Sequence, residues 1–513
     1  VEIPPELDAR AVHRAMPFSM SQLPSESKGN FGMGPHATPE IIKAALDQIK
    51  MPEVSGPYKE TWQSIADNYK LPEWIQDGKF GIFLHFGLYS IGAHHNEWYE
   101  QHMYMRGGDL DYHVQAFGPI DVFGYKDFIA RFTLPNYRPE EWAKLFKDGG
   151  ATWAMPTGEH HDGFSLWDSK ANKFNSVAMG PHRDVVGELA KAVRAQGLHY
   201  GVTLHTIEHY DFIHPDRIPQ GMKTDLDAPG WEDFYWTHHS DAQMARFLAQ
   251  WMAKNLEVID QYQPDVLWFD NGINHRMYDP LKLKLAAYYY NSAKQWGKEV
   301  TLTGKGTAWI AGGLQDFETM GRAPRDLTDY TWFVHDKINR QSWGWVDGDT
   351  PIPYQGIVNN IVEVVSRNGI FGLNLSPKGD GSIPDDQQKT LRQVGDWLKI
   401  NGDAIYGTRP WIKAGEGALP LPRGQRYSSK EIRFTTKAGA LYAIVMAWPA
   451  DGKIVVTSIP ADGPAGKATA VAMLGNDAKL EFTQDADGLK ISLPAIAAPD
   501  VAVAFKIDGL KLN

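Results

Sequence analysis

Eight short runs of β-forming residues, separated by amphipathic stretches, occupy the sequence between Phe80 and Ser376. The runs are Phe80–His85, Ala151–Thr157, His199–His205, Val266–Asp270, Val300–Thr303, Leu314–Glu318, Gln341–Trp345 and Ile370–Leu375. Helical periodicity lies between them in Arg138–Lys147, Asp184–Gln196, Asp241–Tyr262, Leu281–Trp296 and Tyr354–Arg367. Alternating strands and helices of this kind build parallel sheets. Eight of them predict an α/β fold, the (β/α)8 TIM-like barrel.

The sequence changes character after a predicted helix at Pro384–Ile400 and an exit linker at Asn401–Trp411. Short alternating runs broken by Gly, Asp and Pro predict a C-terminal antiparallel β-sandwich. These runs are Glu431–Thr435, Leu441–Trp448, Lys453–Ser458, Ala468–Met473, Leu489–Leu493 and Val501–Ile507. We therefore predict an N-terminal extension at 1–60, wrapped on the body and with one helical patch at Pro39–Ile49, a catalytic barrel at 61–408 and a sandwich at 409–513.

Composition narrows the class of partner. The 513 residues are 43% hydrophobic and carry 62 acidic against 51 basic side chains, a formal charge of −11. No long Lys/Arg run occurs, so nucleic acid and anionic membrane surfaces are not expected partners. No apolar run approaches the ~18 residues of a membrane span. The chain starts at Val1 rather than Met, which favours a mature periplasmic or secreted form whose signal peptide has been removed.

The chain has no cysteine, so disulfides, thiolate nucleophiles and Cys-ligated metals are absent. Carboxylates and imidazoles instead end several predicted strands. They are His85, the segment Glu159-His160-His161-Asp162, His205, Asp270 and Glu318. The active site of a TIM barrel lies at the carboxyl ends of its strands, so these side chains are expected to converge on one face.

Asp270 and Glu318 are two carboxylates expected at the same end of the barrel. Retaining glycoside hydrolysis needs two carboxyl groups about 5 to 5.5 Å apart, one to attack the anomeric carbon and one to protonate the leaving oxygen. A structural interpretation stays open, in which Asp270 caps the turn with Asn271-Gly272.

The histidines first suggest a metal, because His94-His95 and His160-His161 are adjacent pairs that His85 and His205 can join. Neighbouring residues on an extended strand point to opposite faces, which disfavours chelation by both members of a pair, and no HExxH helix is present. We predict no metal and instead hydrogen bonding to sugar hydroxyls. The glycine segments Gly304–Gly306 and Ser376–Ser382 do not match a phosphate-binding loop, so no cofactor is predicted.

Taken together, these segments resemble glycoside hydrolase family 29, the α-L-fucosidases, over about residues 70 to 411. Six motifs carry the resemblance in family order: KFGIFLHFGLYSIGA (Lys79–Ala93), NEWY (Asn96–Tyr99), GEHHDGFSLWDS (Gly158–Ser169), GPHRDVVGELAKAVRAQGL (Gly180–Leu198), PDVLWFDNG (Pro264–Gly272) and GLNLSPKGDGSIPDDQQKTLRQVGDWLKINGDAIYGTRPW (Gly372–Trp411).

The resemblance implies a retaining double displacement on a terminal α-L-fucosyl group, with Asp270 as the nucleophile. By the same match, several residues fall where the family binds fucose hydroxyls or packs the sugar ring: His85, Glu97, Trp98, His160 and His161, with His205 and Trp343 near further pocket positions. Lys305 stands where the family often carries an Arg, which keeps the charge but loses the bidentate fork.

The family's acid/base position departs from its pattern. Related sequences end this motif in a carboxylate, whereas this chain reads Asp316-Phe317-Glu318-Thr319-Met320-Gly321, and glycine cannot donate a proton. Glu318 is the nearest substitute. The further candidates are Asp316, Asp326, Asp329 and Asp336.

The resulting hypothesis is a retaining exo-α-L-fucosidase acting on fucose-containing oligosaccharides or polysaccharides, with Asp270 as nucleophile and Glu318 as acid/base. Two alternatives stay open: an α-glycosidase for a related sugar such as L-galactose or a decorated fucose, and a non-catalytic carbohydrate-binding protein on a decayed barrel. A homo-oligomer also stays open as the functional assembly.

Overall fold

The computed structural model describes residues 36–306, 308–419, 421 and 425–512. Residues 1–35 of the predicted N-terminal extension therefore lie outside the described residues, and its predicted helical patch is seen at Pro39–Leu46. Among the residues described, no helix combines the length and the hydropathy needed to cross a bilayer.

Eight parallel strands pair in chain order and close into a barrel, with the first strand bonded to the eighth. They are β1 (Phe80–Leu84), β2 (Trp153–Glu159), β3 (His199–Leu204), β4 (Val266–Phe269), β5 (Thr301–Lys305), β6 (Gly313–Asp316), β7 (Trp332–Lys337) and β8 (Gly369–Leu375). Bulky side chains such as Phe83, Trp153 and Trp268 form one cluster contributed by several of these strands. The predicted TIM-like barrel is confirmed.

The seventh strand was predicted at the wrong place. Gln341–Trp345 lies in the loop after β7, and the strand itself is Trp332–Lys337. Its first four residues, Trp332 to His335, are completely or almost completely buried, as is typical of a parallel strand covered on both faces. The two tryptophans of Gln341–Trp345 imitate a strand, although Trp343 belongs to the site described below.

Helices surround the barrel and connect its strands. They are α1 (Pro39–Leu46), α2 (Trp62–Asn68), α3 (Glu73–Gly78), α4 (Tyr89–Gly92), α5 (Tyr99–Met103), α6 (Leu110–Phe117), α7 (Pro139–Asp148), α8 (Val185–Ala195), α9 (Glu232–Tyr235), α10 (Asp241–Tyr262), α11 (Asp279–Trp296), α12 (Tyr354–Ser366) and α13 (Asp385–Asn401). The predicted helix at Asp241–Tyr262 has these bounds, and the Ser240 side chain caps it by accepting from the Gln243 backbone N–H.

Two antiparallel sheets follow the barrel and confirm the predicted β-sandwich. One sheet has the order β13-β16-β11-β10-β9 and the other β12-β15-β14. The strands are β9 (Gly415–Glu416), β10 (Ile432–Lys437), β11 (Ala440–Val445), β12 (Lys453–Val456), β13 (Ala470–Met473), β14 (Glu481–Asp485), β15 (Gly488–Ser492) and β16 (Val503–Asp508). Sequence patterning missed β14, an edge strand whose residues are exposed or half-buried and mostly polar, because it lacks an apolar face.

A buried ion pair joins the sandwich to the barrel. Arg433 on β10 is fully buried and donates from Nε and Nη2 to Glu363 Oε1 on α12, over 2.9 and 2.6 Å. Tyr427 also donates to this oxygen at 3.1 Å. A fully desolvated pair of this kind fixes relative position, because separating the partners leaves each charge buried without compensation.

Candidate functional site

The carboxyl ends of the barrel strands bring together the proposed nucleophile, the preferred acid/base and every proposed sugar-binding residue. Most of these residues directly follow or end a strand: His85 after β1, His160 and His161 after β2, His205 after β3, Asp270 after β4, Lys305 at the end of β5 and Glu318 after β6. Glu97 and Trp98 lie in the loop after β1, and Trp343 lies in the loop after β7.

Asp270 is almost completely buried, and its two oxygens have different partners. Oδ2 accepts a 2.7 Å hydrogen bond from His205 Nδ1, and Oδ1 lies 2.6 Å from Lys305 Nζ. Oδ1 also accepts from the Asn271 backbone N–H at 2.7 Å. Burial alone would raise the pKa of Asp270, but the charge of Lys305 and the hydrogen bond from His205 outweigh it and hold that pKa well below its ordinary value. Asp270 is therefore held in its ionised form.

Lys305 links Asp270 to Glu318. Its ammonium lies 2.6 Å from Asp270 Oδ1 and 2.9 Å from Glu318 Oε1. The two contacts add up to 5.5 Å, the greatest separation that these two carboxylate oxygens can have. Glu318 Oε2 forms a second ion pair with Arg322, and the Glu318 backbone is left-handed, with φ 65°. The sequence expectation that the two carboxylates lie close together thus agrees with the geometry.

Four imidazoles line the pocket beside Asp270. The ring centroid of His160 lies 4.3 Å from that of His161, 4.5 Å from that of His205 and 5.6 Å from that of His85. Burial lowers the pKa of all four, to about 3 for His161, and close packing of the rings lowers it further for His160. Neutral imidazoles each have one donor and one acceptor, which suits them to bind hydroxyl groups.

The hydrogen bonds of three histidines fix which ring nitrogen carries the proton. His85 Nδ1 faces the amide oxygen of Asn374 at 2.7 Å, His161 Nδ1 faces the His205 carbonyl at 2.8 Å, and His205 Nδ1 faces Asp270. Each of these partners accepts, so each Nδ1 donates and each Nε2 keeps its lone pair. His160 Nδ1 is buried and has no hydrogen-bond partner among the described residues, which leaves it to a ligand.

Two half-buried tryptophans provide flat apolar surface at the mouth of the pocket. Trp98 packs edge to face against His161, with centroids 5.6 Å apart, and Trp343 lies 5.4 Å from His85. Glu97 connects the two loops: its Oε2 accepts from the backbone N–H groups of Trp343 and Gly344 at 3.2 and 3.4 Å. Burial raises the pKa of Glu97 despite these bonds. Alternating flat aromatic and polar groups fit the faces and hydroxyls of a pyranose ring.

Glu208 is a pocket residue that the sequence reasoning missed. It lies just after β3, its Oε2 is 3.2 Å from His161 Nε2, and neither of its oxygens has a hydrogen-bond partner within the described residues. Burial, followed by the charge of Asp270, raises the pKa of Glu208 well above its ordinary value. The only signal in the sequence was its place three residues beyond the strand-ending His205.

The other carboxylates considered for the acid are already engaged or face solvent. Asp316 is buried and accepts from Trp268 Nε1 at 2.5 Å and from His335 Nδ1 at 2.7 Å. Asp336 accepts from two backbone N–H groups, and Asp326 and Asp329 are exposed. Glu318, which shares Lys305 with Asp270, and Glu208, which contacts His161, remain as the carboxyl groups to compare.

Two sets of donor atoms in the pocket are close enough together to hold a metal ion: His85, His160 and His205, and His161, His205 and Asp270. Both sets include His205, whose Nδ1 donates to Asp270. The second set also includes His161, whose Nδ1 donates to the His205 carbonyl. An ion would therefore have to use the Nε2 atoms or displace these bonds. The absence of a catalytic metal stays a prediction.

The chain is similar to proteins of known activity over most of its length. It matches the family described as "Alpha-L-fucosidase" over residues 45–403 and "Alpha-L-fucosidase C-terminal domain" over 426–508. It is 31% identical over 449 residues to the tissue alpha-L-fucosidase of Rattus norvegicus, covering 86% of this chain and 89% of the relative. The human tissue alpha-L-fucosidase is 29% identical over 482 residues, with 92% and 96% covered.

Solved structures agree with this similarity. The Thermotoga maritima alpha-fucosidase in complex with fucose has a TM-score of 0.69 and 30% identity, covering 88% of this chain and 100% of that one. The alpha-L-fucosidase isoenzyme 1 of Paenibacillus thiaminolyticus has a TM-score of 0.62 and 25% identity, covering 86% and 98%.

Proposed function

The chain belongs to the α-L-fucosidase family of glycoside hydrolases, glycoside hydrolase family 29, and from that premise we propose that it is a retaining exo-α-L-fucosidase. Its substrate is a terminal α-L-fucosyl residue on an oligosaccharide or polysaccharide. The observation that carries the mechanism is the upper limit of 5.5 Å between the Asp270 and Glu318 oxygens bridged by Lys305. Retaining enzymes hold their two carboxyl groups about 5 to 5.5 Å apart, closer than those of an inverting enzyme, and two carboxylate oxygens that contact one ammonium support the closer arrangement.

In the first step, Asp270 Oδ attacks the anomeric carbon while the bond from that carbon to the leaving oxygen breaks. Glu318 donates its proton to the leaving oxygen, and a fucosyl ester of Asp270 results. In the second step, Glu318 takes a proton from water, the water oxygen attacks the anomeric carbon, and Asp270 is released as a carboxylate.

Lys305 changes partner during this cycle. Before the reaction it contacts both carboxylates, and its cation stabilises Asp270 as the ionised nucleophile. Ester formation removes the charge of Asp270, so the ammonium is left with Glu318 alone as a charged partner in the pocket. Lys305 therefore stays next to Glu318 while that residue acts as the base in the second step.

The sugar is held by neutral groups. The Nε2 atoms of His85 and His161 keep lone pairs, and His160 Nδ1 has no partner among the described residues, so all three serve hydroxyls of the fucosyl ring. Trp98 and Trp343 cover its apolar face and methyl group. Lys305, which stands where the family often carries an arginine, places its positive charge next to the nucleophile Asp270.

Trapping with a 2-fluoro-fucosyl donor tests the nucleophile. We expect peptide mass spectrometry to find the fluorosugar on Asp270, and Asp270→Asn to lose more than about 10³-fold in kcat on an aryl α-L-fucoside. Asp265→Asn is the matched control, because Asp265 is a buried aspartate at the opposite end of β4. Proton NMR should find the α anomer as the first product. A first-formed β anomer, or label on another residue, would contradict the mechanism.

Rescue by azide identifies the acid/base. Glu318→Gln should lower kcat/KM by about 10² to 10⁴-fold for a poor leaving group and much less for a dinitrophenyl fucoside. Added azide should restore turnover as α-fucosyl azide, because azide attacks the β-linked ester of Asp270 from the opposite face. Glu208→Gln is the comparison variant. If Glu208→Gln rather than Glu318→Gln shows the leaving-group dependence and the azide rescue, Glu208 is the acid/base. A panel of aryl glycosides that includes the L-galactoside tests the sugar.

A further inference from the structure

A second cluster of metal-ligating side chains lies outside the catalytic pocket, in the loop between β1 and β2. Its donor set is His95, His102 and Asp109, the last of which is 5% exposed, and His94 lies beside them, with Nε2 3.6 Å from Asp109 Oδ1. We propose that His95, His102 and Asp109 bind one divalent zinc ion, which fastens the loop that carries Glu97 and Trp98, with His94 next to the ion. The mechanism above uses none of the four.

The spacing of the donor atoms fits zinc. Asp109 Oδ1 lies 3.2 Å from His95 Nδ1 and 3.6 Å from His94 Nε2, and Asp109 Oδ2 lies 3.6 Å from His102 Nδ1. The donor atoms of His95, His102 and Asp109 all lie within 4.8 Å of one another. Ligands on a tetrahedral zinc ion with bonds of about 2.0 to 2.1 Å are about 3.3 to 3.4 Å apart. Imidazole nitrogens with a carboxylate are a ligand set that zinc prefers.

Two of the donor atoms are buried without a hydrogen bond in the described part of the chain. They are His102 Nδ1 and Asp109 Oδ2, and the 3.6 Å between them is too long for one. An unsatisfied buried carboxylate oxygen costs free energy, so such a pair needs a partner. A shared cation would satisfy both atoms at once.

Asp109 is turned away from the role that its position would give it. It is the residue before α6, where an aspartate normally accepts from the N–H groups of the first helical turn, yet its side chain caps nothing. The carboxylate faces the histidines instead. The Asp109 backbone N–H bonds the His102 carbonyl at 2.9 Å, and a Cβ at Gly108 would meet that same carbonyl at 2.5 Å, so only glycine lets the chain close here.

The backbone also explains how adjacent histidines reach one carboxylate. The strand argument of the sequence analysis does not apply, because His94 and His95 lie in a bend and His95 has φ 58°, in the left-handed region. This conformation turns both rings toward Asp109. Tyr112 stacks on His94 with centroids 3.6 Å apart and planes at 7°, which fixes the orientation of that ring.

Zinc titration of tag-free, chelator-stripped protein tests the proposal, with binding followed by calorimetry and by the visible spectrum of a Co²⁺ substitute. We expect one site per chain. His95→Ala, whose side chain is 54% exposed, and Asp109→Asn should each weaken binding at least about 100-fold, since loss of a second-shell partner alone costs about 10- to 100-fold. Circular dichroism checks that both variants fold, and zinc should slow hydrogen exchange in residues 94–109 of the wild type alone.

Two controls separate this site from others. His238→Ala removes a histidine from an exposed pair with Asp227 and should leave the titration unchanged. His205→Ala removes the histidine shared by both donor sets of the catalytic pocket, and it should also keep the site. Loss of zinc binding in His205→Ala, or equal affinity in wild type and His95→Ala, would overturn the proposal.

Discussion

Replacing Lys305 by methionine should move the acid limb of the pH–activity profile, because Lys305 is the cation that keeps the buried Asp270 ionised. The ammonium lies 2.6 Å from Asp270 Oδ1, and burial by itself raises the pKa of that carboxyl group. Methionine preserves most of the stem and removes the charge. The hydrogen bond from His205 stays.

The size of the effect follows from Coulomb's law. Because the charge of a carboxylate is spread over two oxygens, the charge centres are about 4 Å apart, and they attract by about 4 kcal/mol at an effective dielectric constant of 20. One pKa unit corresponds to about 1.4 kcal/mol, so the pKa of Asp270 should rise by about three units. A nucleophile must be ionised, so activity is lost below the new pKa and kept above it.

The assay is kcat/KM from pH 4 to 9 on a dinitrophenyl α-L-fucoside, whose leaving group needs little help from an acid. The wild type should show no acid limb from Asp270 in this range, whereas Lys305→Met should lose activity as the pH falls toward the raised pKa. Lys282→Met is the matched control, since Lys282 is a buried lysine that pairs with Asp279 rather than Asp270. Identical acid limbs in wild type and Lys305→Met would refute the reasoning.

Three further perturbations test other contacts. Glu363→Gln should lower the free energy of unfolding, measured in urea, by about 3 to 5 kcal/mol, because it leaves the fully buried Arg433 without its carboxylate. The control Lys437→Met breaks a partly exposed pair with Asp403 and should lower the free energy of unfolding by at most about 1 kcal/mol. Burial raises the pKa of Asp162 from 3.8 to about 7. The free energy of unfolding of the wild type relative to Asp162→Asn should therefore be greatest below about pH 4 and should fall by about 4 kcal/mol as the pH rises through 7. A difference independent of pH would contradict the burial argument. Glu97→Ala should raise KM about tenfold or more with a smaller change in kcat, because the Trp343 and Gly344 N–H groups lose their acceptor and the sugar-facing loop loosens; an unchanged KM would argue against this role.

The pattern of the sequence was sufficient for the architecture. Seven of the eight barrel strands coincide closely with predicted runs, because a strand buried on both faces has to be apolar throughout and the helix after it has to be amphipathic. The failure at β7 has the same cause: Trp332–His335 is the buried run, whereas Gln341–Trp345 is a loop that keeps its aromatic residues for the pocket. The edge strand β14 was missed because it has no buried face. The division at 60 and 408 stays a prediction.

The sequence by itself also determined which chemistry was available, because a chain without cysteine that ends its strands in His, Asp and Glu leaves carboxylates and imidazoles as reactive groups. Only the tertiary structure decided their states. Asp270 is ionised and Glu208 has a raised pKa although both are buried carboxyl groups. The difference is that Asp270 contacts the ammonium of Lys305, 35 residues further along the chain, and accepts from His205, whereas Glu208 has no hydrogen-bond partner among the described residues. The left-handed backbone of His95 likewise brings both His94 and His95 to Asp109, which an extended strand would not allow. Spacing along a chain fixes which faces side chains share, but the pKa of a group depends on the charges that folding places around it.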